Sequence, residues 1–206
     1  MQTITYGFLA GFFWASVQTS DAAQAAEPAL SLPVKCAFPQ ECYIQSYVDL
    51  DPGLGMRDRA CGINTYNGHK GTDFRLRSLD LMDRGVDVIA SAAGKVVRVR
   101  EGMRDIHMGL FGRKLASRWG AGNHVVIDHG DGWRTLYGHM RRGSVAVKTG
   151  DTVVAGQRLG FVGLSGMTEF PHLHFEVAKR GAIVDPFLGP DNLHDCKGQK
   201  RTMWTG

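Results

Sequence analysis

Phe170-Pro171-His172-Leu173-His174-Phe175-Glu176 is the stretch whose reading decides the fold. As a β-strand it alternates faces, because successive side chains of an extended chain point to opposite sides. Leu173 and Phe175 then enter an apolar layer, while His172 and His174 stand about 7 Å apart on the other face. Two imidazoles so placed address one small site, one as metal ligand and one as acid or base. Alone, a His-x-His pair is equally a half-buried strand with a polar face, since neutral histidine is tolerated at surfaces and in cores.

A second stretch tips the balance. Gly68-His69-Lys70-Gly71-Thr72-Asp73-Phe74 sets a histidine four residues before an aspartate. Gly68 and Gly71 argue against a helix and for a tight loop entering a strand. Such a loop can fold His69 and Asp73 toward a common point. With His174 the set is two nitrogens and one carboxylate oxygen, the three ligands of a catalytic zinc whose fourth position stays open for water. A structural zinc would want four closed ligands, usually thiolates, and no Cys-x-x-Cys is present.

At 206 residues the chain supports one domain with a small extension. A hydrophobic content of 43% is ordinary and allows a core without special staples. The 27 glycines suit many short strands and turns. The formal charge of +4 is mild. Arg98, Arg100 and Arg104, then Arg113, Lys114 and Arg118, form no dense run, which argues against a nucleic-acid partner and for a solvated face or attraction to an anionic cell wall.

The first 25 residues read as a secretory signal. Ile4 to Val17 is an apolar run of about 14 residues, short of the roughly 20 needed to span a bilayer. Ala23-Gln24-Ala25 supplies a cleavage pattern, leaving no stable membrane insertion after processing. No Lys or Arg precedes the run, so an uncleaved anchor is the alternative. The four cysteines agree with export to an oxidising compartment. Three pairings are open. Cys36 and Cys42 flank Pro39 and could close a short loop; Cys61 would then reach Cys196.

Residues 26–65 read as a linker followed by an irregular extension, with one edge strand over Tyr43 to Val48. Asp49 and Asp51 resemble a calcium-loop fragment whose spacing does not continue, so a turn is expected. From Thr72 onward the pattern is all β. Val86 to Ala90 turns through Ala92-Ala93-Gly94 into Lys95 to Arg100. His124 to Asp128 and Trp133 to His139 form a hairpin around Gly130-Asp131-Gly132. Thr152 to Val154 and Arg158 to Val162 form another around Ala155-Gly156-Gln157, and Leu173 to Ala178 pairs with Ala182 to Val184. No helix of three turns is expected. The excursion from Arg100 to Gly122 exceeds an ordinary hairpin loop and is either a groove wall or a surface insertion.

Trp133-Arg134-Thr135-Leu136-Tyr137-Gly138-His139 places His139 on the face shared by Thr135 and Tyr137; if that face lines the site, His139 is a second non-ligand imidazole. His107, His124, His129 and His194 receive structural or exposed roles. With His69-x-x-x-Asp73, Tyr137-Gly138-His139 and His172-Leu173-His174 in this order, the chain resembles the lysostaphin/LytM-type zinc endopeptidases of bacterial cell walls. The resemblance covers about Gly68 to Phe187 and includes Gly122-Asn123-His124-Val125-Val126-Ile127-Asp128-His129-Gly130. It implies a mainly β, antiparallel, duplicated-hybrid-like domain over 66–190 with an open groove and little helix, followed by a tail over 191–206. It also implies one Zn2+ per chain on His69, Asp73 and His174, His172 and His139 as catalytic imidazoles, and a peptidoglycan peptide as substrate. Family members commonly carry glycine where Phe170 stands, after Glu169; Thr168, Phe170 and Tyr137 are candidate groove residues.

The chemistry has its own logic. A zinc-activated water needs a proton carrier, and histidine, with a reference pKa of about 6.5, suits the task. No His-Glu-x-x-His helix supplies the usual carboxylate base. Glu176 shares the histidine face and could orient a ring or simply face solvent. The rival readings are a non-catalytic domain of this type that binds wall and activates other hydrolases, and a secreted protease for glycine-rich proteins. A lipoyl-like carrier is set aside because Ala155-Gly156, not lysine, stands at the hairpin tip. A monomer is expected.

Overall fold

The computed structural model describes residues 27–110, 120–198 and 201–205. The signal segment and Arg113, Lys114 and Arg118 of the long excursion lie outside the described residues.

Ten strands form among the described residues: β1 (Cys42–Ser46), β2 (Thr72–Leu76), β3 (Asp87–Ile89), β4 (Gly94–Arg100), β5 (Asn123–Gly130), β6 (Trp133–Met140), β7 (Thr152–Val153), β8 (Arg158–Phe161), β9 (His172–Lys179) and β10 (Ala182–Val184). Eight of them build one antiparallel sheet in the order β1-β2-β9-β6-β5-β4-β7, with β10 also paired to β9. The long strands β5, β6 and β9 sit side by side at its centre, where β-branched and aromatic side chains gain most from packing.

The alternation expected in β9 holds. Leu173, Phe175 and Val177 are buried, and they join Phe74, Leu76, Val96, Val125, Ile127 and Tyr137 in one core on one face of the sheet. A two-stranded ribbon of β3 and β8 adds Val88 and Leu159 to that core. Trp204 contributes from the tail, packing its ring against Phe74 and Phe175. The opposite face of β2 and β9 carries Asp73, Arg75, His172, His174 and Glu176.

Two expected hairpins do not form. β3 turns away from β4 and pairs with β8, while β4 pairs with β5 and β7. The segments 152–154 and 158–162 are likewise partners of other strands, not of each other. Local turn residues suggested neighbours in sequence; burial of Val88 and Leu159 in a common ribbon decided otherwise. The all-β reading after Thr72 is also interrupted by a short helix, α1 (Leu79–Arg84). Ser78 caps it by accepting from the Leu81 N–H, and Gly85 ends it at φ 87°.

Both cysteine pairs are joined, Cys36 to Cys42 and Cys61 to Cys196. Asp49 forms a turn rather than a cation loop: its carboxylate accepts the backbone N–H groups of Asp51, Arg57 and Gly68. Among the described residues no helix is long and apolar enough to cross a membrane.

Candidate metal centre

Register brings the two motifs together. β2 and β9 pair with Asp73 opposite His174 and Arg75 opposite His172. The loop before β2 folds His69 over the same spot, and Gly71 is the residue that lets it do so. A Cβ there would lie 2.6 Å from the Phe175 carbonyl oxygen and 2.7 Å from His174 Cε1, so only glycine fits.

His69 Nε2 lies 3.1 Å from Asp73 Oδ1 and 3.2 Å from His174 Nδ1, and His174 Nδ1 lies 2.8 Å from Asp73 Oδ1. All three residues are buried. The far nitrogen of each ring is already committed: His69 Nδ1–H donates to the Tyr47 carbonyl at 2.7 Å, and His174 Nε2–H donates to Glu176 Oε1 at 3.0 Å. With both rings neutral and those protons so placed, three acceptor atoms face one another at hydrogen-bond distance. Such a cluster requires positive charge at its centre. The donor set, two imidazole nitrogens and one carboxylate oxygen within 4.8 Å of one another, fits a zinc ion.

The same charge demand is visible in the titrations. Burial works against a charged His174, yet its hydrogen bonds to Asp73 and Glu176 outweigh burial and push its pKa up to about 9. Burial alone would raise Asp73, but His172 beside it and the contacts of His174 and His69 with its carboxylate hold its carboxyl well below the usual range.

Two further imidazoles stand beside the cluster. His172 Nε2 is 3.6 Å from Asp73 Oδ1, while its Nδ1–H donates to the Phe170 carbonyl at 2.8 Å and also meets Thr168 Oγ1 at 3.0 Å. The His139 ring lies 4.6 Å from that of His172, centroid to centroid, and its Nδ1–H donates to the Ser165 carbonyl at 2.7 Å. Both rings therefore turn Nε2 toward the cluster. Burial lowers the pKa of each below the ordinary histidine value, His139 well below it, so both are neutral at pH 7 with an acceptor lone pair at Nε2.

His139 reaches this position by breaking the alternation of its strand. Thr135 and Tyr137 point into the core, and Tyr137 is fully buried with its hydroxyl bonded to the Ser91 N–H and Thr135. Tyr137 is therefore no groove residue, and the Thr135–Tyr137 face is not the site face. At His139 the backbone adopts φ 56°, the left-handed region uncommon for a non-glycine residue, and the ring swings to the site side.

The groove beside the cluster is lined by Gln45, Tyr66, Met108, Met167, Thr168, Glu169 and Phe170 as well as Asp73 and His172. Thr168 and Phe170 line this cavity, and Glu176 accepts from the His174 ring. On the far side Tyr66, Asn67, Lys70, Gly120, Ala121 and Met167 form the walls. The open face continues past Glu176 over Val126, Leu136 and Ala178.

Sequence reasoning missed Tyr47 and Tyr66. Tyr66 stacks on His69 with ring centroids 4.3 Å apart. The Tyr47 side chain is held by the Arg59 guanidinium, 4.7 Å from its ring, and by the Phe187 ring, which together fix the residue whose backbone carbonyl accepts from His69. Tyr66 sits three residues before His69, close enough to have been a candidate. Tyr47 acts through a backbone oxygen and leaves no side-chain signal.

This fold and cluster define a metallopeptidase-like domain. The chain belongs to peptidase family M23, whose family model matches residues 67–186. It is 36% identical over 117 residues to the peptidoglycan DD-endopeptidase ShyA of Vibrio cholerae, covering 57% of this chain and 22% of that protein. It is 37% identical over 95 residues to the murein hydrolase activator EnvC of Escherichia coli, covering 45% of this chain and 22% of that protein. The chain therefore spans 22% of the length of each of these relatives. A solved zinc-containing peptidase from Vibrio cholerae superposes with a TM-score of 0.52 at 29% identity, over 77% of this chain and 39% of that one.

Proposed function

We propose that this chain is a zinc-dependent endopeptidase that hydrolyses peptide bonds in peptidoglycan cross-links, acting as a monomer in the periplasm or cell-wall space. The observation that carries the reading is the convergence of His69 Nε2, Asp73 Oδ1 and His174 Nδ1 with two neutral imidazoles at their side. The working unit is 66–190, with 26–65 and 191–206 as flanking segments that brace it.

His69, Asp73 and His174 would hold the zinc, which when bound would lower the pKa of water toward neutrality and polarise a carbonyl. His172 accepts the proton of the attacking water at Nε2, its other nitrogen being held by the Phe170 carbonyl. The proton then passes to the departing amine nitrogen, so that bond cleavage leaves a free amine and a carboxylate. His139 is a neutral acceptor in the resting site. It helps relay the proton of the water to the departing amine nitrogen. Water is kept from the backs of both rings by the buried Ser165 and Thr168.

Zinc-loaded protein incubated with purified peptidoglycan should release new primary amines, read by amine labelling and mass spectrometry of the fragments. Absence of new amines, with zinc bound stoichiometrically, would refute the reading. The similarity to a murein hydrolase activator favours one alternative, a domain that activates other wall hydrolases; it predicts that second outcome.

A further inference from the structure

Arg75 occupies the position on β2 directly beyond Asp73 on the site face, and it stands opposite His172 in the register of β2 and β9. It does not wave in solvent. Its guanidinium carbon lies 3.7 Å from the centroid of the Phe170 ring, and its Nη1 donates to Gln45 Oε1 at 3.1 Å. The Tyr43 ring lies on a further side, 5.9 Å from the guanidinium carbon. Phe170 and Gln45 are themselves walls of the groove that contains Asp73 and His172. A planar, permanently charged fork is thus stacked and hydrogen-bonded beside the reacting centre, with only one of its five N–H donors given to Gln45.

Fixing the side chain in advance has a chemical meaning. A guanidinium recognises a carboxylate through two parallel N–H donors, and pre-placement removes the entropy that a free arginine would lose on binding. Arg75 therefore sets a permanent positive charge at this end of the groove, between the wall residues Gln45 and Phe170. Glu169 lines the same cavity and repels an anion placed against it, which confines a negative ligand to the Arg75 end.

We propose that Arg75, set by Phe170 and Gln45, forms a carboxylate-binding subsite, so that the groove selects peptides carrying a free carboxylate near the bond to be cut. This rests on the hydrolase reading above but is tested separately from it. The ligand carboxylate is either the C-terminal carboxyl of a stem peptide or the side-chain carboxyl of one of its residues.

The experiment uses cross-linked muropeptides in three forms: both carboxylates free, C-terminal carboxyl amidated, and side-chain carboxyl amidated. Zinc-loaded wild-type protein and R75Q are compared by kcat/KM and by equilibrium binding, with zinc content measured for each. Wild type should favour the free acid over one of the amides by roughly tenfold, as expected for a charge-assisted pair. The amide that loses identifies which carboxylate is read. In R75Q the ratio should fall toward one while zinc content stays at that of wild type. R75K, which keeps the charge without the planar fork, should retain part of the ratio. Equal use of acid and amides by wild type, or an undiminished ratio in R75Q, overturns the subsite. If nothing is cleaved but acid-selective binding is lost in R75Q, the hydrolase reading fails and the subsite stands.

Discussion

The hydrogen bond between His174 and Glu176 gives the sharpest quantitative handle on the centre. His174 Nε2–H meets Glu176 Oε1 at 3.0 Å, and the two side chains are 10% and 23% exposed. A hydrogen bond to a charged group contributes about 1.5–3 kcal/mol. Partial exposure of the carboxylate places this one at the lower end, about 1.5 kcal/mol, or roughly tenfold in a dissociation constant. E176A should therefore weaken zinc binding by about tenfold, because His174 loses both its orientation and the carboxylate that raises its basicity. E176Q keeps an acceptor without the charge and should lose roughly threefold, half that free energy. The assay is competition for zinc against a colorimetric chelator at pH 7.5, with far-UV circular dichroism to verify folding. A folded E176A whose zinc affinity stays within a factor of two of wild type would refute the reasoning.

Other perturbations separate ligands from imidazoles that only move protons. H69A and H174A should each purify with little zinc, since two ligands remain, whereas H172A should keep the metal and lose at least about a hundredfold in turnover; the reverse metal contents would overturn the assigned roles. G71A should lose both zinc and thermal stability, because its methyl group collides with the Phe175 carbonyl and the His174 ring; wild-type zinc content by metal analysis would contradict the close approach. In metal-stripped protein the folded His174 pKa of about 9 exceeds the reference value of about 6.5. The stabilisation from its proton is complete below pH 6.5 and disappears as pH rises through 9. The Tm of the stripped protein should therefore fall between pH 6.5 and 9.5 relative to the zinc-loaded form, in which metal replaces that proton; parallel curves would remove the effect.

Much of the site was legible because it depends on side chains that alternate. His172 and His174 share one face of a strand in the sequence and in the structure, and Leu173 and Phe175 share the other. The short spacing of His69 and Asp73, bracketed by glycines, marked a loop that turns two ligands inward. The β5–β6 and β9–β10 hairpins were equally plain from their turn residues. Legibility failed where distant packing outvoted local signals. The ribbon of β3 and β8 joins segments far apart in the chain, and no local pattern announces it. Helix α1 carried its caps, Ser78 and Gly85, in view, but six residues are too few for a helical period to show. The placement of Tyr137 in the groove followed from extending strand alternation through His139, and the left-handed backbone at His139 breaks that rule.

The brace on His69 comes from outside the stretch matched by the family model. The Tyr47 carbonyl, the strand β1 that covers the free edge of β2, and the Cys61–Cys196 cross-link to the tail all involve residues before 67 or after 186. Excising 67–186 as a minimal enzyme would strip an imidazole of its acceptor, bare a row of unpaired amides beside Asp73 and expose the apolar seat of Trp204. Efforts to trim this protein for crystallisation or engineering should therefore begin no later than Cys36 and keep Trp204.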